Sequence, residues 1–299
     1  MSLLVVGSIA FDSIETPSRT VDDVLGGSAS YFCRAASFFT KPKLVGVVGE
    51  DFPDNHRQLF ADWGVDLTGL VTQRGKTFAW KGRYHQDMNT RDTLEVHLNV
   101  LETFQPTLPD GFRDCSHVFL ANSGPATQAK VLDQVRKPKF VMADTMDLWI
   151  REFRDDLLKL LPRLDGLLLN DSEAQLLTDQ DNLIKAGKLV MKMGPKFVII
   201  KKGEHGAMLF SHDGVFVMPA FPTENVVDPT GAGDSFAGGV LGYLSSVPDQ
   251  PPGQLRRAMA YGTVIASLTV EDFGLERLKR TNRKEIDERL HWYQQMLHF

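Results

Sequence analysis

The chain has 299 residues, 42% of them hydrophobic and 24% charged, enough to bury a sizeable core as one large α/β domain or two smaller ones. Net charge is −5 with both signs mixed along the sequence, which argues against a nucleic-acid or membrane surface built on a block of like charge. No apolar stretch approaches the roughly 20 residues that span a bilayer, and the two cysteines, Cys33 and Cys115, lack the spacing of a disulfide framework or a zinc site.

Residues 3–6 open the chain as an apolar, strand-like run with no basic segment before it. No signal peptide is therefore expected, and a reducing cytoplasm fits the cysteine usage. Residues 13–25 are polar, contain Pro17 and carry no helical stripe. From there, apolar runs at 44–48, 118–120, 140–142, 167–169 and 197–200 alternate with helical patterns at 29–39, 54–63, 126–135, 148–161 and 182–193. Continuously apolar runs suit strands covered on both faces, and their alternation with helices predicts a doubly wound, mostly parallel sheet. Residues 77–100 break the rhythm. Phe78, Trp80 and Tyr84 share one parity and would line one face of a strand, before a turn near Asp87-Met88-Asn89. Together with 13–25 this stretch predicts a small β-sheet lid on a single domain spanning 1–299. Helices over 232–246, 254–270 and 283–297 complete the chain.

The densest chemical signal is Asp228-Pro229-Thr230-Gly231-Ala232-Gly233-Asp234, followed by apolar residues at helical spacing. Gly231, Ala232 and Gly233 thus lie where a loop becomes a helix, and small residues there let backbone N–H groups approach an anion. A phosphoryl group in transfer spreads charge over its equatorial oxygens and needs such donors. Asp234, in the first turn, is placed to accept a proton from an attacking hydroxyl, and the helix terminus is expected to favour its ionised form. A glycine turn with Asp234 as a mere cap is the simpler alternative for so short a motif. No Walker Gly-x-x-x-x-Gly-Lys-Ser/Thr occurs.

The run 228–239 resembles the C-terminal signature of the ribokinase-like, or phosphofructokinase-B, family of carbohydrate and nucleoside kinases. The resemblance implies a ribokinase-like α/β fold, ATP as phosphoryl donor, an anion hole at Gly231–Gly233 and Asp234 as base. It extends to Gly7-Ser8-Ile9-Ala10-Phe11-Asp12, where it assigns Asp12 to acceptor hydroxyls, and to Gly26-Gly27, whose backbone would meet the acceptor. Tyr31 stands where the family usually carries asparagine. Asn170-Asp171-Ser172-Glu173 matches the family's Asn-x-x-Glu element, which implies Mg2+ near Glu173 and phosphate near Asn170; a helix cap is the competing reading. Lys201 and Gly203 resemble the nucleotide-side loop, against a plain hairpin with solvated lysines. Many relatives bind K+ between the segment near Gly274 and the start of the phosphate loop, and Asp228 and Thr230 fit half of such a site.

The acceptor is the least constrained part. Phe78 and Trp80, with Tyr84 and a further ring from Tyr31, would stack on a nucleobase or form an apolar wall over a sugar, or else pack the lid on itself or a second subunit. The reading is a kinase transferring the γ-phosphate of ATP to a hydroxymethyl group of a nucleoside such as adenosine, with a ribokinase- or fructokinase-type sugar kinase as the alternative. A non-catalytic ligand-binding relative ranks behind both. Relatives often dimerise through the lid, so a homodimer is an expectation of the resemblance.

Overall fold

The computed structural model describes residues 1–247 and 254–298. In chain order the strands are β1 (Leu3–Val6), β2 (Ala10–Glu15), β3 (Thr20–Gly26), β4 (Pro42–Val48), β5 (Asp66–Thr72), β6 (Phe78–Tyr84), β7 (Arg91–His97), β8 (His117–Leu120), β9 (Phe140–Asp144), β10 (Gly166–Asn170), β11 (Phe197–Lys201), β12 (Ala207–Ser211) and β13 (Gly214–Met218). The helices are α1 (Ser28–Ser37), α2 (Asp54–Asp62), α3 (Pro125–Leu132), α4 (Asp147–Glu152), α5 (Arg154–Leu160), α6 (Asp171–Thr178), α7 (Leu183–Lys192), α8 (Ala232–Ser246), α9 (Gln254–Thr269), α10 (Glu276–Arg280) and α11 (Arg283–Leu297).

The apolar runs are apolar throughout because each strand has a core on either side. Leu3 and Val5 of β1 point into one cluster with Phe32 of α1, Val240 of α8 and Ile265 of α9. Leu4 and Val6 point into another with Val131 of α3, Leu157 of α5 and Val190 of α7. The main sheet has the order β13-β12-β11-β10-β9-β8-β1-β4-β5. It is parallel from β11 to β5, and β12 and β13 add an antiparallel edge. From β1 the chain first builds toward β5 and later returns to build from β8 outward. The order therefore reverses between β1 and β8, and the carboxyl ends of strands at such a reversal are where open α/β sheets bind ligands.

Helix α8 begins at the glycine motif of residues 228–234 and is held tightly against α1. A Cβ at Gly238 would stand 2.5 Å from the Phe32 carbonyl oxygen, and one at Gly242 would stand 2.7 Å from Ala36 Cα. These glycines let the two backbones meet, so the loop before α8 has little freedom to shift.

A second sheet, β3-β2-β6-β7, stands beside the first. β2 and β6 are parallel, and the outer pairs are antiparallel. Asp12 lies beside Trp80 in register and Tyr84 opposite Arg91. Ile14 and Tyr84 pack with Phe273, flanked by Trp80, Val24 and Val227, so the inner face of this sheet rests on the segments around the motif. The opposite face carries Glu15, which pairs with Lys81 and Arg83.

Three differences from the sequence expectations are local. The helix expected over 148–161 is two, because Phe153 leaves helical geometry (φ −131°, ψ 34°) and its ring lies against Trp149. The short α6 and α10 escape a pattern search because each is only about two turns long or less. β2 begins at Ala10, ahead of the expected lid segment 13–25, so Asp12 sits inside a central strand of the small sheet.

Candidate active site

Gly231 caps α8 with φ +74°, a left-handed conformation that favours glycine, and the ring of Tyr31 lies directly beneath it. A Cβ at this position would stand 2.4 Å from three atoms of that ring. The amide of Ala232 donates to the Pro229 carbonyl at 3.2 Å, and that of Ser235 to the Gly231 carbonyl at 2.8 Å. The amides of Gly231 and Gly233 have no acceptor within the described protein. Those two N–H groups, at the positive end of the α8 dipole, are the donors available to an anion.

Asp234 follows at once and is partly open to the cleft. Burial raises its carboxyl pKa from the ordinary 3.8 to about 7; the nearby Asp144 carboxylate adds to the rise, while Lys201 and Arg91 oppose it. The helix terminus was expected to keep this group ionised. Desolvation outweighs it, which corrects the expectation.

Lys201, at the end of β11, reaches under the loop: a Cβ on Gly233 would stand 3.2 Å from its Nζ. Its ammonium pairs with Asp144 Oδ2 at 2.8 Å. Burial works to lower the Lys201 pKa, but the carboxylates of Asp144, Glu173 and Asp234 outweigh it and the net shift is upward. The hairpin reading is thus right about the backbone, since β11 and β12 are antiparallel neighbours. It is wrong about solvation, since the Lys201 side chain is only 19% exposed.

Asn170 and Glu173 form a reciprocal capping box on α6. The Asn170 side-chain oxygen accepts from the Glu173 amide at 2.8 Å, and Glu173 Oε2 accepts from the Asn170 amide at 2.6 Å. Glu173 Oε1 keeps its lone pairs. Burial raises the Glu173 pKa to about 7, against the pull of Lys201. Among the described residues no group of three or more His, Cys, Asp or Glu side chains could hold a metal ion by itself.

On the other side of the cleft Asp12 is 4% exposed. Burial raises its pKa to about 7 despite the Gly27 amide that bonds it, with Asp228 and Asp234 adding to the rise and Arg91 opposing it. Gly26 makes this possible: a Cβ there would stand 1.8 Å from Asp12 Oδ2. Asp12 and Asp234 therefore feel one another across the same space.

Tyr31 is 1% exposed, and its Oη has no hydrogen-bond partner. It is the floor of the glycine loop and adds no ring to the wall formed by the small sheet. Thr230 donates from its amide to Asp228 Oδ1 at 2.9 Å and from its hydroxyl to Tyr84 Oη at 3.1 Å. Asp228 Oδ2 accepts from the Gly274 amide at 3.0 Å, tying the motif to the segment after α9. Phe78 and Trp80 are half-buried. The indole of Trp80 folds over Gly82 and lies 5.2 Å from the Arg91 guanidinium. Gly203 lies outside this cluster, beneath the β6–β7 turn.

Three participants were not anticipated. Asp144 stands one residue pair beyond the apolar run read as residues 140–142, at the carboxyl end of β9. Arg91 lay within the expected lid, but only pairing with β6 aims it at Asp12 and Asp234. Val96 is half exposed opposite Trp80. An ionisable residue closing an apolar strand is the signal that would have found Asp144; nothing local marks the other two.

This arrangement can bind an anion at an N-terminal helix loop, bring a cation beneath it and present a carboxylate of raised pKa to a neighbouring hydroxyl. The cytidine kinase of Thermococcus kodakarensis is 29% identical over 256 residues, covering 83% of this chain and 90% of that protein. Among solved structures, a Burkholderia thailandensis nucleoside kinase with inosine matches with a TM-score of 0.78 at 20% identity, over 97% of each chain. An Escherichia coli protein solved with ATP and Mg2+, described there as a ribokinase II, matches with a TM-score of 0.79 at 21% identity, over 97% of this chain and 99% of that one. The model of the pfkB family carbohydrate kinases matches residues 2–282, and this chain belongs to that family.

Proposed function

We propose that this kinase transfers the γ-phosphoryl group of ATP to a hydroxymethyl group of a nucleoside. The observation that carries the reading is the convergence of Asp234, the free amides of Gly231 and Gly233, and Lys201 on one side of a cleft whose other side holds Asp12. Asp12 and the Gly26-Gly27 backbone hold the acceptor hydroxyls. Ionised Asp234 takes the proton of the attacking hydroxyl as its oxygen bonds to phosphorus, and the bond to the β-phosphate oxygen breaks to release ADP. The loop amides and Lys201 stabilise the equatorial oxygens, and Arg91 approaches from the small sheet, which acts as the lid.

Mg2+ suits the nucleotide side. It prefers oxygen ligands and keeps several waters, so Glu173 Oε1, acting through water, and the nucleotide's own phosphates would hold it without a dedicated protein cage. It would neutralise phosphate charge. A monovalent cation near Asp228 would have to share that carboxylate and the Val270 carbonyl with the amides of Val227, Asp228, Thr230 and Gly274 that already bond them.

The nucleoside preference rests on the half-buried Phe78 and Trp80, with the half-exposed Val96 facing Trp80, which together offer a wide apolar wall. It is supported by the cytidine and nucleoside kinases among the relatives. β7 is exposed along its length and offers an open edge at which a second copy would pair. Both cysteines are buried free thiols, which suits a reducing cytoplasm, and no described helix is long and apolar enough to cross a membrane. Acceptor-dependent ADP release across a panel of ribonucleosides, ribose and fructose tests the assignment. Turnover with a nucleoside at least tenfold above the free sugars is expected, and a preference for a free sugar would overturn the nucleoside assignment.

A further inference from the structure

The turn between β6 and β7 is preorganised. Asp87 Oδ1 accepts from the amides of Asn89 (3.0 Å) and Thr90 (2.8 Å), and Asp87 Oδ2 accepts from the Thr90 hydroxyl at 2.6 Å. This turn does not end in solvent. The side-chain amide of Asn89 donates to Glu204 Oε1 at 3.1 Å, across 115 positions of sequence. Glu204 lies in the short turn Gly203–His205, between Lys201 and β12. Gly203, at φ +51°, sits beneath the tip: a Cβ there would stand 3.0 Å from Asn89 Oδ1. At the turn end of β6, Tyr84 accepts from the Thr230 hydroxyl at the entry to the glycine loop. One hairpin thus touches both the loop that receives the phosphoryl group and the loop that carries Lys201.

We propose that Asn89 and Glu204 are positioning residues, a latch through which closure of the lid over the acceptor orders the nucleotide-side loop and tightens ATP. The proposal rests on the phosphotransfer reading for the identity of the two ligands but not for the contact itself. The acceptor is covered by Trp80 and Arg91 of this hairpin, so binding it favours the docked position; docking holds Glu204, and through two residues of backbone fixes Lys201 beneath Gly233. Linkage requires the converse, that ATP tightens the acceptor by the same factor. The contact is exposed and its removal leaves the core intact, so it acts on the coupling rather than on folding.

The test uses Asn89→Asp, Glu204→Gln and the double variant in the full chain. Asn89→Asp sets two carboxylates against one another, Glu204→Gln keeps an acceptor for the Asn89 amide, and the double variant restores a donor facing a carboxylate. Michaelis constants for ATP are measured at low and saturating acceptor, beside hydrogen exchange of peptides 85–91 and 202–206 without ligand. The wild type and Glu204→Gln should show a falling KM for ATP as acceptor rises. Asn89→Asp should lose that dependence, with KM raised about three- to tenfold, kcat changed less and faster exchange in both peptides, and the double variant should recover most of both. Wild-type exchange and wild-type KM behaviour in Asn89→Asp, or a double variant no better than Asn89→Asp, would overturn the latch. Absence of turnover in the wild type itself refutes the phosphotransfer reading, and the exchange comparison then decides the contact alone.

Discussion

Replacing Asp234 by Asn removes the proposed base and also an energetic burden. Burial holds the Asp234 pKa at about 7 against the ordinary 3.8. Between those values the folded chain binds the proton more tightly than the unfolded chain does, so stability falls as pH rises from about 4 to about 7 and the full penalty is present above 7. A gap of about 3 pH units corresponds to ~4 kcal/mol at 1.36 kcal/mol per unit. The carboxyl faces cleft water and its surroundings relax, so about half of that, ~2 kcal/mol, is expected in practice. In a chain of this size such a change raises the melting midpoint by about 4 °C. Asp234→Asn should therefore melt about 4 °C above wild type at pH 8, with the difference shrinking toward zero as pH approaches 4, while phosphotransfer nearly vanishes. Differential scanning fluorimetry across that range and a coupled ADP assay measure both. A variant that melts at or below wild type at pH 8, or by a pH-independent margin, refutes the burial argument. Near-wild-type turnover refutes the base assignment.

Because Asp234 must be ionised to accept a proton and burial places its pKa at about 7, log kcat/KM should rise through an acidic limb centred near pH 7 and level off above about pH 8. Asp12 titrates in the same range, so this limb should be steeper than for one proton and relax toward unit slope in Asp12→Asn; a flat profile from pH 5.5 to 8 would contradict both. Gly26→Ala places a Cβ where the Asp12 carboxyl now lies, 1.8 Å from Oδ2. It should raise the acceptor KM at least tenfold at low acceptor with a far smaller effect on ATP binding measured alone by calorimetry, and an unchanged acceptor KM would show that Asp12 does not hold the acceptor.

Much of the fold is readable from local pattern. The run at 3–6 coincides with β1, and the expected helix at 232–246 with α8, because a strand between two cores must be apolar at every position and a buried helix must begin where the loop residues stop. β13 was missed because it is an antiparallel edge strand, largely exposed and ambiguous in its apolar content, whereas β12, apolar and buried over Ala207 to Phe210, fitted the pattern and was passed over beside the turn that follows β11. The glycine loop was legible as a candidate anion site because the role proposed for it needs small residues in consecutive order. Asp144 and Arg91 were not, because an ordinary acidic or basic residue announces nothing until the chain brings it to the cleft.

The amino-acid order by itself determined the alternation of strands and helices, the helix start bearing Gly231 to Asp234, and the aromatic parity of residues 78 to 84, since each depends on neighbours a few positions away. Tertiary structure alone decided that Lys201 pairs with Asp144 rather than with water, that Tyr31 lies under Gly231, and that Asn89 reaches Glu204. It also set the protonation of the three carboxyls at Asp12, Glu173 and Asp234. Those outcomes depend on desolvation and on contacts between distant segments, and neither exists until the sheets have packed.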